Sequence, residues 1–180
     1  MKTTGRIFAM VVVVAAAAGA GWWFFGRGRG NGMRAGAGQV SVRWGGKYQG
    51  SMSLPATLNW CPVTRIGVLE GISGDSGIAV VLYERDSLLT GPHAVASPEL
   101  AASATRPIAA VVMRWMHLRP DTALAGFRSE GGGTVRIRFA GGRASGDVNA
   151  RLRSAISTDT ITVTGVFTGV PVVTTAKGCT

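Results

Sequence analysis

The stretch TVRIRFAGGRASGDVNARLR, residues 134–153, predicts a β-hairpin and with it the class of the fold. Apolar and polar residues alternate on both sides of Gly141-Gly142, a dipeptide that suits a tight hairpin turn. A two-residue turn there predicts these opposite pairs: Val135 with Val148, Ile137 with Gly146, Phe139 with Ala144, Arg136 with Asp147, and Arg138 with Ser145.

Short apolar runs separated by Gly, Pro, Asn and Asp continue from Gln39 to the C-terminal region, which is typical of a mainly β domain. We therefore expect an antiparallel β-sandwich or a partly closed β-barrel over residues 39–180. The predicted strands are 39–44, 47–53, 56–60, 65–72, 77–84, 92–96, 108–118, 124–129, 133–140, 144–153 and 160–168. Residues 107–120 fit a buried strand or a short helix, and residues 97–105 fit a short helix capped by Ser97.

Residues 7–25 form an uncharged apolar run of 19 residues, long enough to cross the hydrocarbon core of a bilayer. We expect residues 1–25 to be a signal-anchor transmembrane helix through which the chain binds the membrane. A cleaved signal peptide is the alternative, because the alanine-rich part offers cleavage sites. Residues 26–38 are rich in Gly and Arg and predict a flexible linker.

The formal charge of +10 is unevenly distributed along the chain. Five basic residues and no acidic residue precede residue 39, so half of the net charge belongs to the predicted anchor and linker. Of the 19 cations 16 are Arg, in a chain that is rich in Ala, Gly and Val. Such a composition is poor evidence for a nucleic-acid footprint, and no nucleic-acid partner is expected.

Cys61 and Cys179 are the only cysteines of the chain, and each lies beside a predicted strand. In an oxidising compartment they would form a disulfide that closes a long loop. Two unrelated buried thiols are the alternative. The disulfide and the basic N-terminus together favour a single-pass protein of the cytoplasmic membrane whose C-terminal domain is extracytoplasmic, either periplasmic or at the cell surface.

Gly74-Asp75-Ser76-Gly77 has the letters that surround the nucleophile of chymotrypsin-like proteases. In those enzymes the base histidine precedes the serine, whereas His93 and His117 both follow Ser76 here. A hairpin turn at Gly74-Asp75, which places Ser73 opposite Ser76, is the preferred interpretation. We expect no catalytic residue, and a hydrolase that uses Ser76 is the alternative.

The two histidines have no neighbours at the short spacing of a metal site. They lie 24 residues apart, and Glu84 and Asp86 are the nearest additional candidate ligands. Neither a metal site nor a cofactor is therefore expected.

Four arginines alternate with apolar residues and should share one outward face of adjacent strands. They are Arg136, Arg138, Arg151 and Arg153. Such a face would bind an anionic lipid, an envelope polymer or a protein partner, and the simpler interpretation is a solvated surface partly neutralised by Asp147 and Asp159. Trp44 and Trp60 are expected in the core.

The segments GGTVRIRFAGGRASGDVNARLRS (132–154) and TITVTGVFTGVPVV (160–173) resemble the C-terminal half of uncharacterised secreted β-rich proteins of environmental bacteria. The resemblance implies an envelope β-sandwich or barrel and no particular functional residues. We therefore expect a membrane-anchored, non-enzymatic envelope module that binds a partner or supports structure. A carrier of a small apolar ligand or lipid, with a cavity inside a β-barrel, is the alternative.

Overall fold

The structure, a computed structural model, describes residues 38–117, 123–175 and Cys179. These residues are mainly β, as predicted, with one short helix. The elements are β1 Gly38–Gly46, β2 Gly50–Cys61, β3 Ile66–Ser73, β4 Ser76–Tyr83, β5 Gly91–Val95, α1 Pro98–Ala101, β6 Ile108–His117, β7 Ala123–Ala140, β8 Arg143–Ser154 and β9 Thr160–Thr174. The predicted anchor and residues 26–37 of the linker lie outside the described residues.

No helix within the described ranges is both long enough and apolar enough to cross a bilayer.

The nine strands form one mixed sheet in the order β1-β2-β3-β4-β6-β5-β7-β8-β9, and the order closes because β9 pairs with β1. Closure leaves neither β1 nor β9 as an unpaired edge strand. Most pairings are antiparallel, as expected, but β2 and β9 are parallel, and so are β5 and β6. Beyond Gly38, where β1 begins, the last residues of β9 lie directly beside β2.

Both predicted hairpins form in the predicted register. Across the turn at Gly141-Gly142, all five pairs of residues expected from the sequence are opposite each other. Across the turn at Gly74-Asp75, Ser73 pairs with Ser76. The short helix also begins as expected, because the Ser97 hydroxyl accepts a hydrogen bond from the Leu100 amide.

Two predicted strand breaks are wrong, since β2 and β7 are each continuous where the sequence suggested a break. β2 runs through Pro55, where β3 has not yet begun to pair with it, so the missing N–H interrupts no bond on that side. β7 runs through residues 131–133, three glycines with φ between +78° and +120°. They form a bulge at which β7 exchanges its partner β6 for β5.

The inward-facing side chains of the closed sheet form one contiguous apolar core. Its largest fully buried members include Phe167, Leu58, Leu69, Ile78, Leu82, Met113, Leu152 and Ile161. Trp60 belongs to this core, as predicted, whereas Trp44 is partly buried and packs against the core, with its ring centroid 4.8 Å from that of Trp115. The interior of the described sheet is therefore occupied by side chains.

Most connections lie at one of the two ends of the closed sheet, whereas the connection 96–107 runs back toward the end at which β5 began, because β5 and β6 are parallel. We call one the Gly38 end; it holds Gly38, the connections 62–65, 84–90 and 141–142, and residues 171–175. We call the other the Gly74 end; it holds the connections 47–49, 74–75 and 155–159. The predicted disulfide between Cys61 and Cys179 is present at the Gly38 end and joins residues 118 positions apart.

Gly165 is a position where a side chain would disrupt the sheet. A Cβ there would lie 2.4 Å from Val42 Cγ1 and 2.7 Å from the Ser41 carbonyl oxygen, whereas a Cβ at Gly45 would meet nothing within 4 Å. We expect Gly165→Ala to lower the free energy of unfolding by about 1–3 kcal/mol. Gly45→Ala, the matched control, should change it by less than about 1 kcal/mol. Urea denaturation measures both, and equal effects of the two substitutions would contradict the close packing of β9 on β1.

The disulfide should contribute strongly to stability because it closes a long loop. We expect the double variant Cys61→Ser, Cys179→Ser to lose about 4 kcal/mol of unfolding free energy. Adding reductant should lower the unfolding free energy of the wild type to that of the variant, and it should not change the unfolding free energy of the variant. Two thiols that react with a thiol reagent in the native, unreduced wild type would show that the bridge does not form.

Candidate functional site

The four predicted arginines lie on the outer face of the sheet. Arg136 and Arg138 are on β7 and Arg151 and Arg153 are on β8, and all four are exposed. They point outward because they alternate with the buried residues Val135, Ile137, Ala150 and Leu152. The structure therefore places all four on the outer face, as the sequence predicted.

Carboxylates lie beside three of these arginines. Arg136 lies 3.4 Å from Asp147, and Glu130 contacts both Arg151, at 3.1 Å, and Arg153, at 3.3 Å. Glu130 was missed by the sequence analysis because it precedes the glycine bulge, which shifts the register between β7 and β8. Arg151 and Arg153 thus share a partly buried anion, while Arg136 faces one that is more exposed.

Asp159, expected to neutralise the arginine face, lies elsewhere. It accepts a hydrogen bond from Lys47 at 2.9 Å at the Gly74 end. The hydrogen bonds from Lys47 and from the Ser157 hydroxyl lower the pKa of the Asp159 carboxyl, and the same contact raises the pKa of Lys47. The expectation for Asp159 is therefore wrong, because the connection 155–159 folds toward the β1–β2 connection.

An open groove of about 700 Å³ crosses the outer face of β2, β1, β9, β8 and β7. It is concave where β9 passes Gly165, since without a side chain this strand lies close to Val42 and the core. The residues that line the groove with polar groups are Ser41, Arg43, Ser51, Ser53, Arg136, Asp147, Asn149 and Thr164. Val166, which is 55% exposed, contributes an apolar surface.

The sheet register sets the arrangement of charges in this groove. One row across the strands runs through Arg43, Thr164 and Asn149, and the next row runs through Val166, Asp147 and Arg136. Arg43 and Arg136 are thus on strands three positions apart, which is roughly 14 Å across a sheet. Two guanidinium groups with hydroxyl and amide groups between them can bind an extended partner that carries more than one negative charge.

Arg43 was missed by the sequence analysis. Its alternation with Val42 and Trp44 indicates an outward side chain, but no local pattern indicates that β1 lies beside β9, more than 100 residues away. The groove brings together Arg43 and Arg136 and does not include Arg138, Arg151 or Arg153. Of the four predicted arginines, only Arg136 therefore lines it.

Ser76 lies at the predicted hairpin turn at the Gly74 end, two residues after Gly74, whose φ is +56°. His93 is inside the sheet and both of its ring nitrogens are engaged, one with Glu84 and one with the Gly91 carbonyl oxygen. Among the described residues, no group of three or more His, Cys, Asp and Glu side chains is arranged to hold a metal ion.

Glu84 and His93 form a fully buried pair, with His93 Nε2 2.8 Å from Glu84 Oε1. His93 Nδ1 lies 3.3 Å from the Gly91 carbonyl oxygen, and a carbonyl only accepts, so we assign a proton to Nδ1. The contact between Nε2 and Oε1 then requires one further proton between the two groups. The pair is neutral overall whichever atom holds that proton.

The same carboxylate holds the connection 84–90 in place. Glu84 Oε1 also accepts a hydrogen bond from the Leu89 amide at 3.2 Å, which ties this connection to the interior. Its second oxygen, Oε2, is buried without a hydrogen-bond partner among the described residues. A buried polar pair of this kind depends on both of its members, because either one alone would be left uncompensated.

Replacing one member of the pair should therefore lower the free energy of unfolding more than replacing both members. We expect Glu84→Met alone to lower the unfolding free energy by about 3–5 kcal/mol, because it leaves the His93 ring buried without its partner. The double variant Glu84→Met, His93→Leu should recover part of that loss. A double-mutant cycle by chemical denaturation measures the coupling, and strictly additive effects would contradict it.

Comparison of the chain with protein-family models, with curated proteins and with solved structures found no match. The resemblance of residues 132–154 and 160–173 to secreted β-rich bacterial proteins therefore stays a prediction.

Proposed function

We propose that this protein is a membrane-anchored, non-enzymatic envelope module that binds an extended anionic partner in the groove across β1, β9 and β8. Residues 7–25 would hold the chain in the cytoplasmic membrane, and the closed sheet, a small β-barrel, would be the extracytoplasmic binding domain. The observation that carries the proposal is the concave outer surface with Arg43 and Arg136 on separate strands.

The chemistry of the groove supports an anionic polymer as its partner. Arg136 is 70% exposed, and its contact with Asp147 is an exposed ion pair of the kind that contributes little and exchanges readily. Ser41 and Ser53 share a hydrogen bond of 2.6 Å on the adjacent wall, and their oxygens offer further donors and acceptors. Guanidinium and hydroxyl groups together suit carboxylate or phosphate groups spaced along a chain.

The disulfide and the apolar segment of residues 7–25 support an extracytoplasmic location of the C-terminal domain. Structural disulfides persist in oxidising compartments, and Cys61 and Cys179 are bonded at the end of the sheet where the chain enters from the linker. The positions of Ser76 and His93 support a non-enzymatic role, since the serine lies in a hairpin turn and the histidine is buried against Glu84.

Binding can be tested by retention of the full chain, in non-ionic detergent, on immobilised polygalacturonate. We expect the double variant Arg43→Ser, Arg136→Ser to weaken binding about tenfold, because each arginine would make charge-assisted hydrogen bonds to the polymer. The matched control is Arg151→Ser, Arg153→Ser, which removes two exposed arginines already held by Glu130.

The control variant should change retention by less than about threefold, which is within the usual effect of exposed ion pairs. Thermal unfolding of both variants checks that the domain stays folded. Equal losses in the two variants would show a diffuse charge effect, and unchanged retention in both would remove the groove as the binding site.

A further inference from the structure

The Gly38 end of the sheet presents exposed apolar side chains close to where the chain enters the domain. Val63 is 71% exposed in the connection 62–65, Leu89 is 40% exposed in the connection 84–90, and Val173 is 48% exposed near the end of β9. Single exposed apolar residues are ordinary on a protein surface. Three of them at the same end of the sheet are less usual, and two of the three lie in connections that hydrogen-bond to each other.

Cations surround these apolar side chains. Arg65 and Arg85 are exposed in the same two connections, and Arg138 and Arg143 flank the turn at residues 141–142. Asp86, 3.7 Å from Arg65, is the exposed carboxylate of the connections 62–65 and 84–90, because Glu84 is buried against His93. The end therefore presents a net positive surface to whatever lies opposite it.

The two connections are held together as one platform. The Glu84 amide donates to the Arg65 carbonyl oxygen at 2.9 Å, and Arg106 donates to the carbonyl oxygens of Thr64 and Glu84. Arg65 has a φ of 58°, a left-handed conformation that favours glycine or asparagine, yet an arginine occupies it. These hydrogen bonds fix the connection 62–65, which carries Val63 and Arg65, next to the connection 84–90, which carries Arg85 and Leu89.

We infer that the Gly38 end docks on the anionic surface of the membrane that holds the anchor, with Val63 and Leu89 entering the interface and Arg65 and Arg85 contacting lipid phosphates. This inference rests on the proposed anchoring by residues 7–25. Gly38 begins β1 at this end, and the 13 residues of the linker span about 45 Å at most. Each arginine near an anionic bilayer strengthens attachment about fivefold, and apolar loop tips add to it.

The test uses the full chain in lipid nanodiscs made of phosphatidylcholine alone or with one quarter phosphatidylglycerol. Because Cys61 and Cys179 are bonded, a single new cysteine can be labelled with an environment-sensitive fluorophore. Ser87→Cys puts the label in the connection 84–90, and Thr158→Cys, the control, puts it at the Gly74 end. Quenching by spin-labelled lipid reports contact with the bilayer.

We expect quenching at position 87 that rises with phosphatidylglycerol, with none at position 158. In the Ser87→Cys protein, Arg65→Ser combined with Leu89→Ser should reduce the quenching at least fivefold, whereas Arg128→Ser, which removes an exposed arginine paired with Glu99, should leave it unchanged. Quenching that is equal at both positions, absent at both, or independent of phosphatidylglycerol would overturn the inference. A chain that does not enter the nanodisc at all would instead overturn the proposed anchoring, so the two failures are distinguishable.

Discussion

The pairing of β9 on both of its sides is the interaction on which the rest of the structure depends. Its first residues lie between β8 and β1, and its last residues extend past Gly38, the first residue of β1, to pair with β2. Glycine makes this path sterically feasible, since a Cβ on Gly38 would lie 2.2 Å from Val170 Cα, and one on Gly165 would contact Val42. The Thr175 amide then donates to the Trp60 carbonyl oxygen, and the disulfide fixes the same end of the chain to β2. Without β9 the apolar inner faces of β1 and β8 would be separated and exposed to water.

The closed sheet places its polar groups in environments that differ in burial, and each environment has a different physical role. The buried pair of Glu84 and His93 compensates its own desolvation and holds the connection 84–90 against the interior. The partly buried Glu130 holds Arg151 and Arg153, so these arginines are less available to a partner. Burial also matters on the outer face of β3, where it raises the pKa of the Glu70 carboxyl. The groove and the Gly38 end both combine exposed guanidinium groups with exposed apolar surface.

The two proposed surfaces are compatible with each other because they occupy different parts of the sheet. The groove lies on the side of β1, β9 and β8, whereas the platform of residues 62–65 and 84–90 lies at the Gly38 end. A domain that rests on the membrane by this end would present the groove laterally, where a polymer running along the envelope can reach it.

Local sequence determined the β class, both hairpin registers and the cap at Ser97, because alternation and turn chemistry act over only a few residues. It also placed the four arginines outward and identified the two cysteines as candidates for a bridge. Tertiary structure alone decided that Pro55 and residues 131–133 lie within continuous strands, that β9 closes the sheet, and that Glu130 rather than Asp159 holds Arg151 and Arg153. The position of Arg43 beside β9 and the pairing of Glu84 with His93 were likewise decided by tertiary structure. These features join residues that are distant in the chain or separated by a bulge, and such contacts are set by which strands pack together, for which a single sequence holds no local signal.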